Sequence, residues 1–211
     1  MIKKLQALKA KKGFTLVELV VVIAIIGVLA AILVPTMLGV VQDSRITSAN
    51  SSAQQVKDRT TEFLTKMDAA KASYKGGTAT KTVSLTVNNG EWTLTVGSSD
   101  GGADWLDGKD HWGSTYDTKS TESDNQKKKD TEFVAYIGDS LSDLKNAYIK
   151  VYIQSGKVIG VASVDGATSD VENIPADSDF QAGTFEWTGK AGINSDNIVV
   201  GTSPVLTMPA E

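Results

Sequence analysis

The amino-acid sequence predicts an α+β fold, in which one long N-terminal helix lies across an antiparallel β-sheet. Three observations predict it. Apolar residues run almost unbroken from Phe14 to Val41, an apolar stripe at helical spacing follows, and two later segments alternate apolar and polar residues around turn signals. We therefore divide the chain into residues 1–13, 14–41, 42–75 and 76–211.

Residues 1–13 form a short basic leader with five lysines and no acidic residue. The 28 residues from Phe14 to Val41 that follow would make a helix about 42 Å long, more than the roughly 30 Å of a bilayer's hydrocarbon core. The lysines favour a cytoplasmic N-terminus. The sequence thus predicts one membrane span, with the remainder of the chain outside the cell membrane.

Glu18 is the unusual residue of this span. A carboxylate near the start of a membrane-length helix costs several kcal/mol unless a partner neutralises it. A basic leader, then Gly13, Phe14 and, after three further residues, Glu18 resembles the class III signal of type IV prepilins. The resemblance covers roughly the first 45 residues. It implies the type IV pilin fold, and it implies cleavage between Gly13 and Phe14 by a prepilin peptidase that also methylates the new amine.

That cleavage would give Glu18 a partner. The new amine of Phe14 is positively charged, and in a filament it could face Glu18 of a neighbouring copy, where low dielectric favours the pair over two separate charges. Glu18 would then set the register between subunits. Pro35 has two interpretations: an ordinary kink or, as the family pattern implies, the end of a Gly27–Pro35 stretch that unwinds in the filament.

Two other interpretations of the apolar run are possible. A secretory signal peptide has an apolar core of about 7–15 residues and a small-x-small cleavage site, so this run is too long and its acid is misplaced. A plain single-span anchor has suitable length but leaves Glu18 unexplained. Both fit the sequence less well than a prepilin.

The resemblance implies a non-enzymatic function. The chain would be a structural subunit that polymerises with copies of itself into a surface filament for adhesion, motility or DNA uptake. Its other partners would be the prepilin peptidase, an assembly ATPase, a platform protein and, before assembly, the cytoplasmic membrane. Alternatives are a pseudopilin of a type II secretion or competence system and a membrane-anchored binding domain.

Composition narrows these possibilities. The net charge is −4 at pH 7 and the five leader lysines contribute +5, so the processed chain would carry −9. This charge argues against binding nucleic acid through bulk electrostatics, and no specific nucleic acid is indicated. The chain has no cysteine, so it lacks the C-terminal disulfide of many Gram-negative pilins. Another interaction must hold the C-terminus.

Beyond Gln42 the apolar stripe predicts an amphipathic helix that docks on the sheet and stops at Gly76-Gly77. The stripe comprises Ile46, Ala49, Ala53, Val56, Thr60, Phe63, Met67, Ala70 and Tyr74. Hairpins are predicted around Asn88-Asn89-Gly90 and around Gln154–Lys157. The remaining expectations are loops at Ser114–Asp130 and Asp165–Gly183, strands at Phe133–Ile137, Thr184–Trp187 and Ile198–Val200, and a helical turn at Asp139–Asn146.

No catalytic motif appears, and the single histidine, His111, lies in a polar turn. No cofactor is expected apart from a calcium ion, for which clustered carboxylates on a glycine-rich loop are candidates. These candidates are Asp100, Asp104, Asp107 and Asp110. Their spacing is not that of an EF-hand, and solvated turn residues are the commoner explanation of such a cluster. Trp105 and Trp112 could stack on sugars, whereas core packing is the commoner role of tryptophan.

Overall fold

The computed structural model describes residues 14–69, 78–98 and 122–210. Its elements, in chain order, are α1 (Leu16–Ala69), β1 (Lys81–Asn88), β2 (Glu91–Ser98), α2 (Glu122–Ser140), β3 (Ala147–Gln154), β4 (Lys157–Asp165), α3 (Asp177–Ala182) and β5 (Gly201–Ser203). The chain divides into two compact units, Met1–Asp43 and Ser44–Glu211. The α+β fold is confirmed, with a long N-terminal helix and a five-stranded antiparallel sheet.

The sheet has the order β2-β1-β3-β4-β5, and every neighbouring pair is antiparallel. Both predicted hairpins are confirmed. Asn89 and Gly90 connect β1 to β2, while Ser155 and Gly156 connect β3 to β4, all four with positive φ. Two-residue turns with positive φ at both positions match the twist of the flanking strands, which explains the Asn-Gly preference at such sites.

One core fills the space between the sheet and the part of α1 that follows Ser44. The buried residues of α1 are Ile46, Ala49, Ala53, Val56, Thr60, Phe63, Leu64 and Met67. They confirm the predicted stripe as far as Met67 and add Leu64; Ala70, Tyr74 and the Gly76-Gly77 stop lie outside the described residues. The inward face of β1 supplies the other side with Val83, Leu85 and Val87.

Helix α2 corrects three predictions. Residues 122–130 are helical rather than loop, residues 133–137 are helical rather than a strand, and Asp139 and Ser140 end α2 instead of starting a new helical turn. The physical reason is helical spacing: Phe133, Ile137 and Leu141 recur every four residues and are all buried. Phe133 packs edge-to-face on Phe63 of α1, with ring centroids 5.0 Å apart.

A second core covers the opposite face of β3 and β4. It contains Tyr152, Phe180, Trp187 and Leu206. Phe180 belongs to α3, so the predicted loop at residues 165–183 was wrong for residues 177–182. The ring of Phe180 occupies the space where a side chain at Gly160 would lie, which explains why β4 carries a glycine there.

The last strands also differ from the prediction. Ile198 does not join a ladder through its N–H, because that group donates to Asn194 Oδ1 at 2.9 Å; the strand forms instead at Gly201–Ser203. In the predicted strand Thr184–Trp187, only Thr184 forms a bridge, with Thr207. A side-chain hydrogen bond that mimics a turn competes with ladder pairing.

Hydrogen bonds attach the C-terminal strand directly to α1. The Thr202 N–H donates to Asn50 Oδ1 at 2.8 Å, and the Ser203 hydroxyl donates to Gln54 Oε1 at 2.5 Å. A Cβ at Gly201 would overlap the backbone carbonyl of Ala49, so the two elements are in close contact. In this cysteine-free chain, these contacts hold β5 on α1. They are the interaction that the sequence left unidentified.

Candidate assembly site

The start of α1 places Glu18 in a reciprocal cap. Thr15 precedes the helix, and its hydroxyl accepts the Glu18 N–H at 3.2 Å. Glu18 Oε2 in turn accepts the Thr15 N–H at 2.8 Å and the Thr15 hydroxyl at 2.8 Å. This is the capping box of a helix N-terminus. Its local signal, Thr-x-x-Glu, is present at residues 15–18 and was not part of the prediction for Glu18.

The rest of this segment presents apolar side chains to the outside. Every large hydrophobic residue from Phe14 to Val41 is exposed, from 43% for Val22 to 81% for Phe14. Among the described helices, α1 is the one long and apolar enough to cross a membrane. An apolar surface of this extent needs lipid or protein to cover it.

Pro35 lies inside α1, where the helix continues through it. Proline removes one helical hydrogen bond, from its own position to the carbonyl of residue 31. The neighbouring Thr36 hydroxyl donates to the Leu33 carbonyl at 2.9 Å and thereby adds a side-chain bond to the same turn. In this chain the Gly27–Pro35 stretch is helical, and its unwinding in a filament stays a prediction.

Polar residues connect α1 to α2 on the solvent side. Glu62 accepts hydrogen bonds from Lys66 Nζ at 2.8 Å and from Arg59 at 3.0 Å. Lys66 Nζ also donates to the Tyr136 hydroxyl at 2.8 Å. Hydrogen bonds from Lys66, Tyr136 and Arg59 lower the pKa of Glu62 to about 2. The charged side chains of Arg59, Glu62 and Lys66 are solvent-exposed, so their mutual attraction is screened by water and contributes little to stability.

Several predicted site residues lie outside the described residues. These are Gly13, the calcium candidates Asp100, Asp104, Asp107 and Asp110, the sugar-stacking candidates Trp105 and Trp112, and His111. In the parts of the chain that the structure describes, no group of three or more potential metal-ligating side chains comes together. Trp187 is a core residue, and its indole N–H donates to the Leu206 carbonyl at 3.2 Å.

Comparisons with known proteins give one match for the N-terminal part of the chain and another for the part that follows. Residues 46–207 match a family described as a domain of unknown function, DUF5021. The chain belongs to this family. No solved structure matches this DUF5021 chain.

The N-terminal part carries a second match. Residues 8–34 match the prokaryotic N-terminal methylation motif. Two fimbrial proteins of Pseudomonas aeruginosa are each 46% identical to the chain over 50 residues, which make up 24% of this chain and 32% of each relative. The matched stretch thus spans about a third of the relatives' length. Together these matches confirm the predicted resemblance to type IV pilins, and this DUF5021 protein has a pilin-type N-terminus.

Proposed function

We propose that this chain is a structural subunit of a type IV pilus, which polymerises through residues 14–41 into an extracellular surface filament. The observation that carries the proposal is the exposed apolar surface of this segment, interrupted by a carboxylate at Glu18. An exposed apolar surface of this extent needs a covering, and we expect lipid to cover it in the precursor and other copies to cover it outside the membrane.

Processing would convert the membrane form into the assembling form. A prepilin peptidase would cut between Gly13 and Phe14 on the cytoplasmic side and methylate the amine of Phe14. Glu18 then has two available roles, the local cap that it forms with Thr15 and an ion pair with Phe14 of a neighbouring copy. An ion pair in a protein-covered, low-dielectric helix bundle would favour one axial register over others.

The remaining partners follow from pilin assembly in general. A cytoplasmic ATPase and a platform protein would extract the processed chain from the cytoplasmic membrane, in which its N-terminus faces the cytoplasm. The pilin family is structural rather than enzymatic, and we extend that property to this chain. Adhesion, motility and DNA uptake are each compatible with such a filament. We refer to the unit Ser44–Glu211 as the head, and a calcium ion bound by Asp100, Asp104, Asp107 and Asp110 would belong to it.

Mechanical shearing of cells that express the chain tests the proposal. The released material is examined by electron microscopy and by mass spectrometry of the N-terminus. We expect long filaments built from a chain that starts at methylated Phe14. A Gly13→Val variant is the matched control, because blocked cleavage should leave the chain in the membrane fraction without filaments.

Two other outcomes would contradict the proposal in different ways. A chain that is cleaved and methylated yet stays with the cell, without filaments, would indicate a pseudopilin. A chain that retains Met1 to Gly13 in cells with an active peptidase would indicate a membrane-anchored domain.

A further inference from the structure

The two edges of the sheet differ in how they are protected against further strand pairing. At one edge, β5 is only three residues long and is followed directly by Pro204. At the other edge, β2 has eight residues and pairs with β1 along its whole length without a bulge. Short edge strands, lysine and proline are the usual protection of an edge. Because β2 contains no lysine, arginine or proline, it is the unprotected edge of this sheet.

The hairpin turn determines which backbone groups of β2 point away from the sheet. A two-residue hairpin turn closes with a hydrogen-bonded pair, which here is Asn88 and Glu91. Hydrogen-bonded and non-hydrogen-bonded pairs alternate along an antiparallel ladder. The residues that direct both N–H and C=O outward are therefore Trp92, Leu94 and Val96. No described strand pairs with this outer edge.

A second copy of β2 can satisfy these outward groups. When Leu94 lies opposite Leu94 of the second copy, Trp92 lies opposite Val96, and the outward groups of one strand meet those of the other. Cross-strand pairs of an aromatic and a β-branched residue are among the favourable ones. The two copies use the same surface, so the contact is isologous and has two-fold symmetry.

The outer face of β2 is also complementary to itself in this register. Thr93 and Thr95 are exposed, and each would lie directly opposite the other residue in the second copy, where threonine pairs are favourable. Glu91 is the only charged residue of β2, and it would lie opposite Gly97. No like charges therefore meet, and this self-complementarity favours a second copy as the partner.

We propose that β2 of one copy pairs antiparallel with β2 of a second copy about a two-fold axis at Leu94, which joins two five-stranded sheets into one ten-stranded sheet. This goes beyond the proposed function, because a closed two-fold contact joins two copies and does not extend a filament. In pili, it would link neighbouring filaments through their heads.

Cysteine cross-linking tests both the pairing and its register, because the natural chain contains no cysteine. Thr93 and Thr95 of the two copies would form a non-hydrogen-bonded pair, with Cα atoms about 4.5 Å apart, which a disulfide can bridge. A mixture of the Thr93→Cys chain and the Thr95→Cys chain, processed and kept in detergent, should therefore give a disulfide-linked dimer on mild oxidation. Either variant alone places its two cysteines diagonally, about 7–8 Å apart, and should give little dimer.

The matched control is a mixture of Thr93→Cys and Glu91→Cys. Both positions are exposed on the same face of β2, but in the proposed register they are four residues, or about 13 Å, out of alignment. We expect at least tenfold less dimer than from the Thr93→Cys and Thr95→Cys mixture. Equal amounts from the two mixtures would overturn the proposal, and filaments released by shearing would in that case leave the pilus assignment intact.

Charge reversal provides a second test that needs no disulfide. In a chain with Thr93→Lys and Thr95→Lys, each lysine would lie directly opposite a lysine of the second copy, which is unfavourable, while lysines on an edge strand are compatible with the fold. A tagged copy of this variant should capture at least tenfold less of its untagged form than the natural chain captures of itself. A partner with Thr93→Glu and Thr95→Glu should restore capture. Equal capture of the lysine and glutamate partners would contradict the pairing, and equal melting temperatures of the variants in detergent verify that the fold is kept.

Discussion

The two halves of α1 share one helix but differ in where their partners lie. After Ser44, the helix buries a stripe of eight side chains, from Ile46 to Met67, inside the head. Before Asp43, none of its described large hydrophobic residues is buried, although this half is far more apolar. Burial along α1 therefore follows the availability of a complementary surface, here the sheet, and not the hydrophobicity of the helix itself.

The two halves of α1 also differ in how polar and apolar residues are distributed around the helix. In the second half, polar residues such as Glu62 and Lys66 occupy the solvent face, which marks a boundary between core and water. In the first half apolar residues surround the whole helix, as expected for a segment that is covered on every side. The proposed function assigns that covering to lipid and to other copies, and the following variants test each half of α1 against this expectation.

The largest effect is expected in the first half, at Glu18. Glu18→Gln keeps a side chain that can complete the capping box but removes the charge, whereas Thr15→Ala removes the cap and keeps the charge. If an ion pair between copies sets the register, Glu18→Gln should reduce filament yield about a hundredfold or more, since each 1.4 kcal/mol is a factor of ten. Yield is measured as sheared protein per cell.

The Thr15→Ala variant is the control for the local role of Glu18. A lost helix cap costs about 1 kcal/mol, so its yield should fall far less than that of Glu18→Gln, and N-terminal processing should be normal in both. The reverse order of yields would show that Glu18 acts mainly as a helix cap. The two halves of α1 would then differ only in whether their apolar side chains are buried against the sheet.

The next effect is expected in the second half, where α1 contacts β5. Gly201→Ala places a Cβ on the backbone of Ala49 and Asn50, which cannot move as a flexible side chain would. We expect a loss of about 2–3 kcal/mol in the free energy of unfolding, seen as a lower melting temperature of the processed chain in detergent.

Gly97→Ala is the matched control for that variant. A Cβ at Gly97 in β2 would have the Thr82 carbonyl 4.0 Å away as its nearest neighbour, an ordinary contact. Its stability should equal or slightly exceed that of the natural chain. Equal melting temperatures for the two variants would show that α1 and β5 are further apart than described.

A smaller, local effect is expected from Asn50→Ala. The Thr202 N–H, in a residue that is only 2% exposed, would lose its acceptor, and a buried unsatisfied donor costs about 1–3 kcal/mol. Amide hydrogen exchange should accelerate in residues 201–206, read by mass spectrometry. Gln55→Ala on the exposed face of α1 should leave that exchange unchanged, and acceleration by both variants would argue against a specific effect of the Asn50–Thr202 hydrogen bond.

The hydrogen bond between Asn50 and Thr202 also shows which parts of the fold could be predicted from sequence. Both hairpins and the stripe on α1 follow from local signals, namely an Asn-Gly and a Ser-Gly turn between alternating segments, and spacings of three and four. The bond between Asn50 and Thr202 joins residues 152 positions apart, and nothing in either local sequence announces it. Strand β5 is only three residues long, so its position depends on α1 and β4 rather than on a pattern of its own.

Helix α2 and the helix cap formed by Thr15 and Glu18 were not predicted, for different reasons. The apolar run at residues 133–137 fits a short strand as well as a helical segment, and burial by α1 decides between them. At Glu18 the prediction concentrated on charge, and the Thr-x-x-Glu cap, a local signal, was overlooked. Cleavage at Gly13 and the roles of Phe14, Glu18 and Pro35 in assembly stay predictions, because they depend on other molecules.

The smallest effect is expected at the solvent face of the second half, around Glu62. Its pKa of about 2 lies below the ordinary value of 4.5, so its ionised form is favoured in the folded state. The stabilisation is fully present above pH 4.5 and is lost as the pH falls towards 2. Lys66→Met should raise this pKa more than Tyr136→Phe does, because the hydrogen bond from Lys66 is the largest cause of the shift.

Carboxyl NMR titration of Glu62 in the processed chain measures both changes. Because the group is exposed, neither variant should alter stability appreciably at neutral pH. A larger rise with Tyr136→Phe than with Lys66→Met would show that the α2 contact, rather than the pair within α1, holds the carboxylate. In that case α2 would fix the side chains on the solvent face of the second half, as the sheet fixes those on its buried face. Both faces of the second half would then have partners within the same unit, in contrast to the exposed first half.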